Sequence, residues 1–222
     1  MTLVAAGVCP HAPLLVPELG VGLGPDIDVV RARCAETVAA LRSGDADRLF
    51  VVGADIGPRA TTFRPWGVDV PVDVPEPMPL SLLVGGWLTR GRPRSFVVVD
   101  PATEPADCAE LGADLAAAAD RVALLVMGDG SARHDEKAPG YIDERAAPYD
   151  EAVHQALAKA DVDALLALDP TLADDLLCAG RAPWQVLAGA GQQMANHGVS
   201  ASLFVRFGVG YHVAHWEVTG RN

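Results

Sequence analysis

Cysteine is sparse and scattered: Cys9, Cys34, Cys108 and Cys178 stand far apart, with no Cys-x-x-Cys pair among them. A secreted disulfide framework and a structural zinc site both need closer spacing, so neither is expected. Basic residues are also short. There are 17 Lys and Arg against 29 Asp and Glu, a formal net charge of −12. Nucleic-acid binding needs a basic footprint that displaces counterions, and no stretch supplies one. The acidity serves solubility and argues against polyanions and acidic membranes as partners. No uninterrupted apolar run reaches about 18 residues, which predicts no transmembrane helix. The opening "MTLVAAGVCPHAPLL" has no basic leader ahead of an apolar core, so a cytoplasmic protein is expected. Low-complexity tracts and fixed-period repeats are absent as well.

What remains is a globular composition: 222 residues, 50% hydrophobic, 5% aromatic and 21% charged. That size predicts a single domain spanning 1–222. Such a chain buries roughly 70–75% of its unfolded surface and needs no disulfide or metal to fold. Short, nearly continuous apolar runs recur at 2–8, 48–54, 95–100, 121–128 and 202–213. Rich in Val and Leu and closed by Gly, Pro or Asp, they read as strands covered on both faces. Helical patterns lie between them. Over 25–42 the apolar residues Ile27, Val30, Cys34, Val38 and Leu41 recur at helical spacing behind Pro25. The segments 105–120, 149–160 and 183–196 read the same way. The alternation predicts a three-layer α/β domain with a central, mostly parallel sheet flanked by helices. The Pro-rich stretch 56–79 has no period, and a loop of that length is expected to cover a site or a subunit contact.

In such folds ligands sit beyond the carboxyl ends of the strands. Four polar segments are expected there: "CPHAPLLVPE", "GADIGPR", "GDGSARH" and "GYHVAHWE". His11, stiffened by flanking prolines, suits a ligand role or a hydrogen-bonded turn. Asp55 suits a turn cap or a metal ligand. Asp129 and His134 flank Ser131, a spacing that invites nucleophilic catalysis, but the Gly-x-Ser-x-Gly elbow is missing because position 133 is Arg133. His212 and His215 are expected on opposite faces of a strand, one buried and one exposed. His154 is expected in solvent, and His197 at the close of a helix, where a cation suits the dipole. The four tryptophans, Trp66, Trp87, Trp184 and Trp216, are expected in packing.

Taken in order, these segments resemble the class III extradiol ring-cleavage dioxygenases of the protocatechuate 4,5-dioxygenase β-subunit type and the related Memo-like proteins. "CPHAPLLVPE" is similar to the family's first motif, and "GDGSARHDEKAPGYIDERAAPYDEAV" to its catalytic loop and helix, down to Ala-Pro-Gly-Tyr and Tyr149-Asp150. "AGRAPWQVLAGA" resembles a Memo-like segment and "FGVGYHVA" the closing strand. The resemblance implies Fe(II) on two histidines and a carboxylate, with another histidine as acid/base.

Carried across position by position, only His11 matches a metal ligand outright. Asp55 stands where the second histidine belongs, and Ala132 where the acid/base histidine belongs. Ala179 takes the place of the last ligand, with Cys178 beside it. The candidate metal ligands are therefore His11, Asp55 and Cys178, the candidate catalytic residues His134 and Asp129, and the substrate-binding candidates Ser131, Arg133 and His212. Three readings stay open: a degenerate member that binds a small molecule or assembles, an active metalloenzyme with a rearranged site, and a metal-free enzyme reusing the pocket. The cofactor is Fe(II), as the resemblance implies, or another divalent ion on the second reading, and none on the others. A small-molecule ligand and, from the relatives' habit, a homodimer are the expected partners.

Overall fold

A computed structural model describes residues 2–43, 46–192, 194 and 197–218. Six strands form one mixed sheet in the order β3-β2-β4-β1-β6-β5. The strands are β1 (Thr2–Cys9), β2 (Arg48–Ala54), β3 (Ser95–Val99), β4 (Arg121–Met127), β5 (His197–Arg206) and β6 (Val209–Val218). The first four run parallel, while β6 lies antiparallel to β1 and β5 antiparallel to β6. Helices cover both faces, giving the expected three-layer α/β domain with a mostly parallel sheet.

Beyond their first residues β1, β2 and β4 are apolar because alternate residues feed two separate cores. Ala5, Val51, Leu125 and Met127 face α1 (Pro25–Ser43) and α2 (Leu80–Leu88). Ala6, Val52, Leu124 and Val126 face the other layer. That layer holds α3 (Pro105–Ala117), α4 (Ala146–Lys159), α5 (Val162–Leu166), α6 (Pro170–Asp175) and α7 (Arg181–Gly191). Here α3 and α7 approach closely because glycines meet: a Cβ on Gly112 would sit 2.0 Å from Val186 O, and one on Gly189 2.1 Å from Ala109 O. Among the described residues no helix is long and apolar enough to cross a membrane.

The expectations for the run 202–213 and for the tail need correction. The run 202–213 is not one strand but a hairpin, β5 and β6 joined by Phe207-Gly208 with φ of 55° and 73°. Two central residues with positive φ make the turn whose twist suits a tight hairpin, and Phe-Gly lacks the usual Asn-Gly signature. The tail "GYHVAHWE" is accordingly strand rather than loop. The segment "LSLLVGGWL" forms α2, which is apolar on nearly every side and so showed no helical period. The stretch 56–79 commits its apolar residues to the chain's own core. Phe63 is fully buried, Val72 and Met78 nearly so, and bridges pair Ala60 with Met78 and Thr62 with Pro71.

The helix expected over 183–196 starts earlier, at Arg181, and closes at Gly191. Residues 193, 195 and 196 of that expectation lie outside the described residues. His197 opens β5 instead of closing a helix, and its side chain also lies outside them. Trp184 and Trp216 are fully buried, as packing residues should be.

The α3–α7 contact yields a test. Gly189→Ala forces the two helices apart, with an expected loss of about 2 kcal/mol from overpacking, read as a lower urea midpoint at unchanged m-value. The same change at Gly91, where a Cβ meets open space, acts only through its positive φ and costs less.

Candidate functional site

Because β1 and β4 are neighbouring parallel strands and β6 runs the other way, the end of β1, the end of β4 and the start of β6 come together. The loop after β4 continues almost as an extra strand. On one side Gly130 N donates to Gly210 O, Gly210 N to Ser131 O, and His134 N to Gly208 O. On the other, Ala132 N donates to Leu176 O and Gly180 N to Asp129 O. Loop position is thereby set by main-chain bonds.

At its centre lies the carboxylate of Asp150, carried on α4 and fully buried. It accepts Ser131 N at 3.2 and 3.1 Å, His134 Nε2 at 2.6 Å and His212 Nε2 at 3.0 Å. Burial alone would push this carboxyl up, yet the bonds from His134, His212 and Ser131 N hold it below the usual carboxylate range. An ionised carboxylate only accepts, so both imidazoles carry their hydrogen on Nε2. The slot exists because two flanking residues lack a side chain: a Cβ on Gly130 or Gly210 would stand 2.3 or 2.0 Å from an Asp150 oxygen. Trp184 closes the nest edge-on to His212, with ring centroids 5.1 Å apart.

A second pair sits beside it. His11 donates its backbone N–H to Asp129 Oδ1 at 2.8 Å, and its ring Nε2 is 3.5 Å from Asp129 Oδ2. The ring is 6% exposed and its Nδ1 is buried without a partner. Burial raises the Asp129 carboxyl above its ordinary value, against the pull of His11 and His212 and with a push from Asp150. Two neighbouring carboxylates are thus driven in opposite directions.

The expected residues separate on this geometry. His11, Asp129, His134 and His212 come together. His134 and His212, however, are committed to Asp150, which leaves neither Nε2 free for substrate or metal. Ser131 is unavailable to a substrate as well. Its hydroxyl donates to Leu176 O at 3.1 Å and accepts Arg133 N at 3.2 Å, fully buried. Asp55 is engaged in an exposed pair with Arg59 at 2.7 Å. Cys178 turns its thiol toward Asp129 O, and burial pushes that thiol up to about 12, so it stays protonated. Arg133 is half-buried with Nε unpartnered, and it keeps binding capacity. His215 occupies the opposite face from His212 and is partly exposed, while His154 is half-buried rather than fully solvated.

The Fe(II) site implied by the resemblance does not fit these donors. His11 and Asp129 are adjacent, but among the described residues no three His, Cys, Asp or Glu side chains form a group that could hold a metal ion. The residue overlooked in the sequence is Asp150. Its signal was legible: it falls on the same helical stripe as Val153 and Leu157, where a charge is out of place unless paired. Arg181 is likewise structural, since it is buried and donates to Thr103 O, Pro101 O and Gln185 Oε1.

The opposite shifts of the two carboxyls predict opposite responses. Asp150 stabilises the fold above its unfolded value near 3.9, and that contribution is lost as pH falls through its lower folded value. Asp150→Asn strands two buried imidazoles and is expected to cost about 3 kcal/mol or more at pH 7. Asp129 has a raised folded value, so its charged form opposes folding at neutral pH. Asp129→Asn is expected to raise Tm at pH 7, with the gain shrinking as pH falls through that raised value. Thermal melts from pH 7 to pH 3 read both signs. No protein-family model matches the chain, and no curated protein proves similar to it.

Proposed function

We propose that the chain is a divergent protein of the class III extradiol dioxygenase type that binds a small molecule at the carboxyl end of its sheet and does not cleave aromatic rings. The observation that carries this reading is the Asp150 carboxylate, which holds the Nε2 atoms of both His134 and His212. Their Nε2 hydrogens already point at a buried acceptor, so neither Nε2 can serve an acid/base step or a metal, and only the Nδ1 atoms are left, that of His212 buried without a partner. Position 132, where the resemblance calls for a proton-transferring histidine, carries a methyl group.

The groups left uncommitted favour binding. The His11 ring keeps a buried, unpartnered Nδ1, and Arg133 an unpartnered Nε. The cleft of about 550 Å³ between α1 and α2, walled by Leu15, Cys34, Val38 and Trp87, is lined by neither His11 nor Arg133 and is therefore separate from this site. A small molecule with a hydroxyl or carboxylate group suits these two polar atoms of His11 and Arg133.

The test uses protein purified anaerobically without chelators, wild type beside His11→Gln. The expected result is no stoichiometric metal by mass spectrometry in either protein. A thermal shift with catechol or 3,4-dihydroxybenzoate is expected in the wild type and weaker in the variant, with no oxygen uptake. One iron per wild-type chain, absent from His11→Gln and accompanied by oxygen consumption with a catechol, would overturn the proposal in favour of a rearranged metalloenzyme.

A further inference from the structure

The two edges of the sheet differ in a way that the ligand-binding reading leaves unused. β3 is short, Ser95–Val99, and is enclosed by Arg92, Pro93 and Arg94 before it and Asp100 and Pro101 after it. Short length, prolines and charges are the usual devices that keep an edge from pairing with another chain. β5 has none of them. It runs ten residues, His197–Arg206, without Lys, Pro or bulge, and carries no Asp, Glu or Arg before Arg206. Among the described residues no strand pairs with its outer side.

The hairpin fixes which backbone groups face outward. Residues flanking a two-residue turn exchange both hydrogen bonds, so Arg206 bonds inward to Val209, as do the alternate positions behind it. Val199, Ala201, Leu203 and Val205 therefore present their N–H and C=O to the outside. Val205 O is indeed met by a side chain, the Nη1 of Arg206 at 2.8 Å.

We propose that β5 pairs antiparallel with β5 of a second copy about a twofold axis beside Ser202, joining two sheets into one. In this register Ala201 faces Leu203 of the second copy and Val199 faces its Val205, so the cross-strand pairs on the α4 side are wholly apolar. On the α1 side Arg206 lies opposite Gly198 of the other copy. In each copy Gly198 is registered with Glu217 of β6, which is exposed. Arg206 thus looks along a lane with no intervening side chain toward the other copy's Glu217, about two strand spacings or 10 Å between backbones, within reach of the two long side chains. The same contact recurs across the axis. Arg206 Nε stays beside Asp26, 3.3 Å away, while Nη1 leaves Val205 O to the incoming N–H of Val199. Because β3 is protected, pairing closes at two copies instead of running on as a fibre.

Sedimentation velocity of the full chain over a range of concentrations tests the interface. A dimer is expected for the wild type. Arg206→Glu and Glu217→Arg each place like charges across the axis twice, and each is expected to weaken dimerisation about tenfold. The double variant R206E/E217R restores the opposite pairing and the wild-type constant. Ala201→Pro deletes an outward N–H at an edge position where proline is tolerated, and is expected to give a folded monomer. If Ala201→Pro does not fold, the charge swap decides. A wild type that stays monomeric at every concentration, a dimer indifferent to the single swaps, or a double variant that fails to recover would each overturn the proposal.

Discussion

The buried carboxylate of Asp150 organises the centre of this molecule. An ionised carboxylate taken out of water costs several kcal/mol unless every lone pair finds a donor, and here the donors come from two different parts of the chain. Ser131 N and His134 belong to the loop after β4, and His212 to β6. The requirement therefore fixes α4 against the carboxyl end of the sheet. It also dictates glycine at 130 and 210, where any Cβ would occupy the space of the carboxylate oxygens. The main-chain bonds from Gly130 to Gly210 and from Gly210 to Ser131 then follow, because the two glycine segments must lie flat on either side of the same group.

This arrangement has a chemical consequence. Histidines are useful in catalysis when a ring nitrogen faces the reacting atom with a proton to give or a lone pair to receive. Two of the three histidines at this end of the sheet turn Nε2 inward to the Asp150 carboxylate, which leaves only Nδ1 of each for such a role. The third, His11, is held by its backbone to Asp129 while its ring remains only loosely paired at 3.5 Å. Asp129 feels burial and the nearby Asp150 charge and moves up, while Asp150, saturated with donors, moves down. The two carboxyls are thus driven in opposite directions, and Asp129 is the one that stands beside the loosely paired His11 ring.

How much of this was legible in the residues depends on the kind of signal. β1, β2 and β4 stood out because strands covered on both faces are apolar without interruption, a pattern that tolerates no ambiguity at that length with Gly and Asp at the ends. The helix Leu80–Leu88 did not stand out for the same reason inverted: buried nearly all round, it has no polar stripe to reveal a period. The hairpin at Phe207-Gly208 was hidden because an exposed Phe takes the left-handed position usually given to Asn or Gly. At the site, position and chemistry parted company. His11, Asp129, His134 and His212 were rightly gathered at one end of the sheet, but hydrogen-bond assignment is a three-dimensional fact. Nothing in the spacing of Ser131 says that its hydroxyl will be consumed by Leu176 O.

A run of residues can be required by packing whatever its chemistry. In this chain Ser131, Gly130, Asp150 and Gly210 are all parts of one hydrogen-bonded slot, and Arg181 with Gln185 pins the loop after β3 and the turns around Leu166 and Leu168. Losing any of them would leave a buried donor or acceptor unpaired, at a cost of about 1–3 kcal/mol or more, whatever reaction the protein did or did not perform. Stability alone is therefore enough to retain the whole sequence block. Position 132 is different: Ala132 makes its hydrogen bonds through the backbone, and its methyl group packs against the α1–α2 core without taking part in the slot. The informative atoms for function are then those that stability does not need, and here they are the His11 ring and the Arg133 guanidinium.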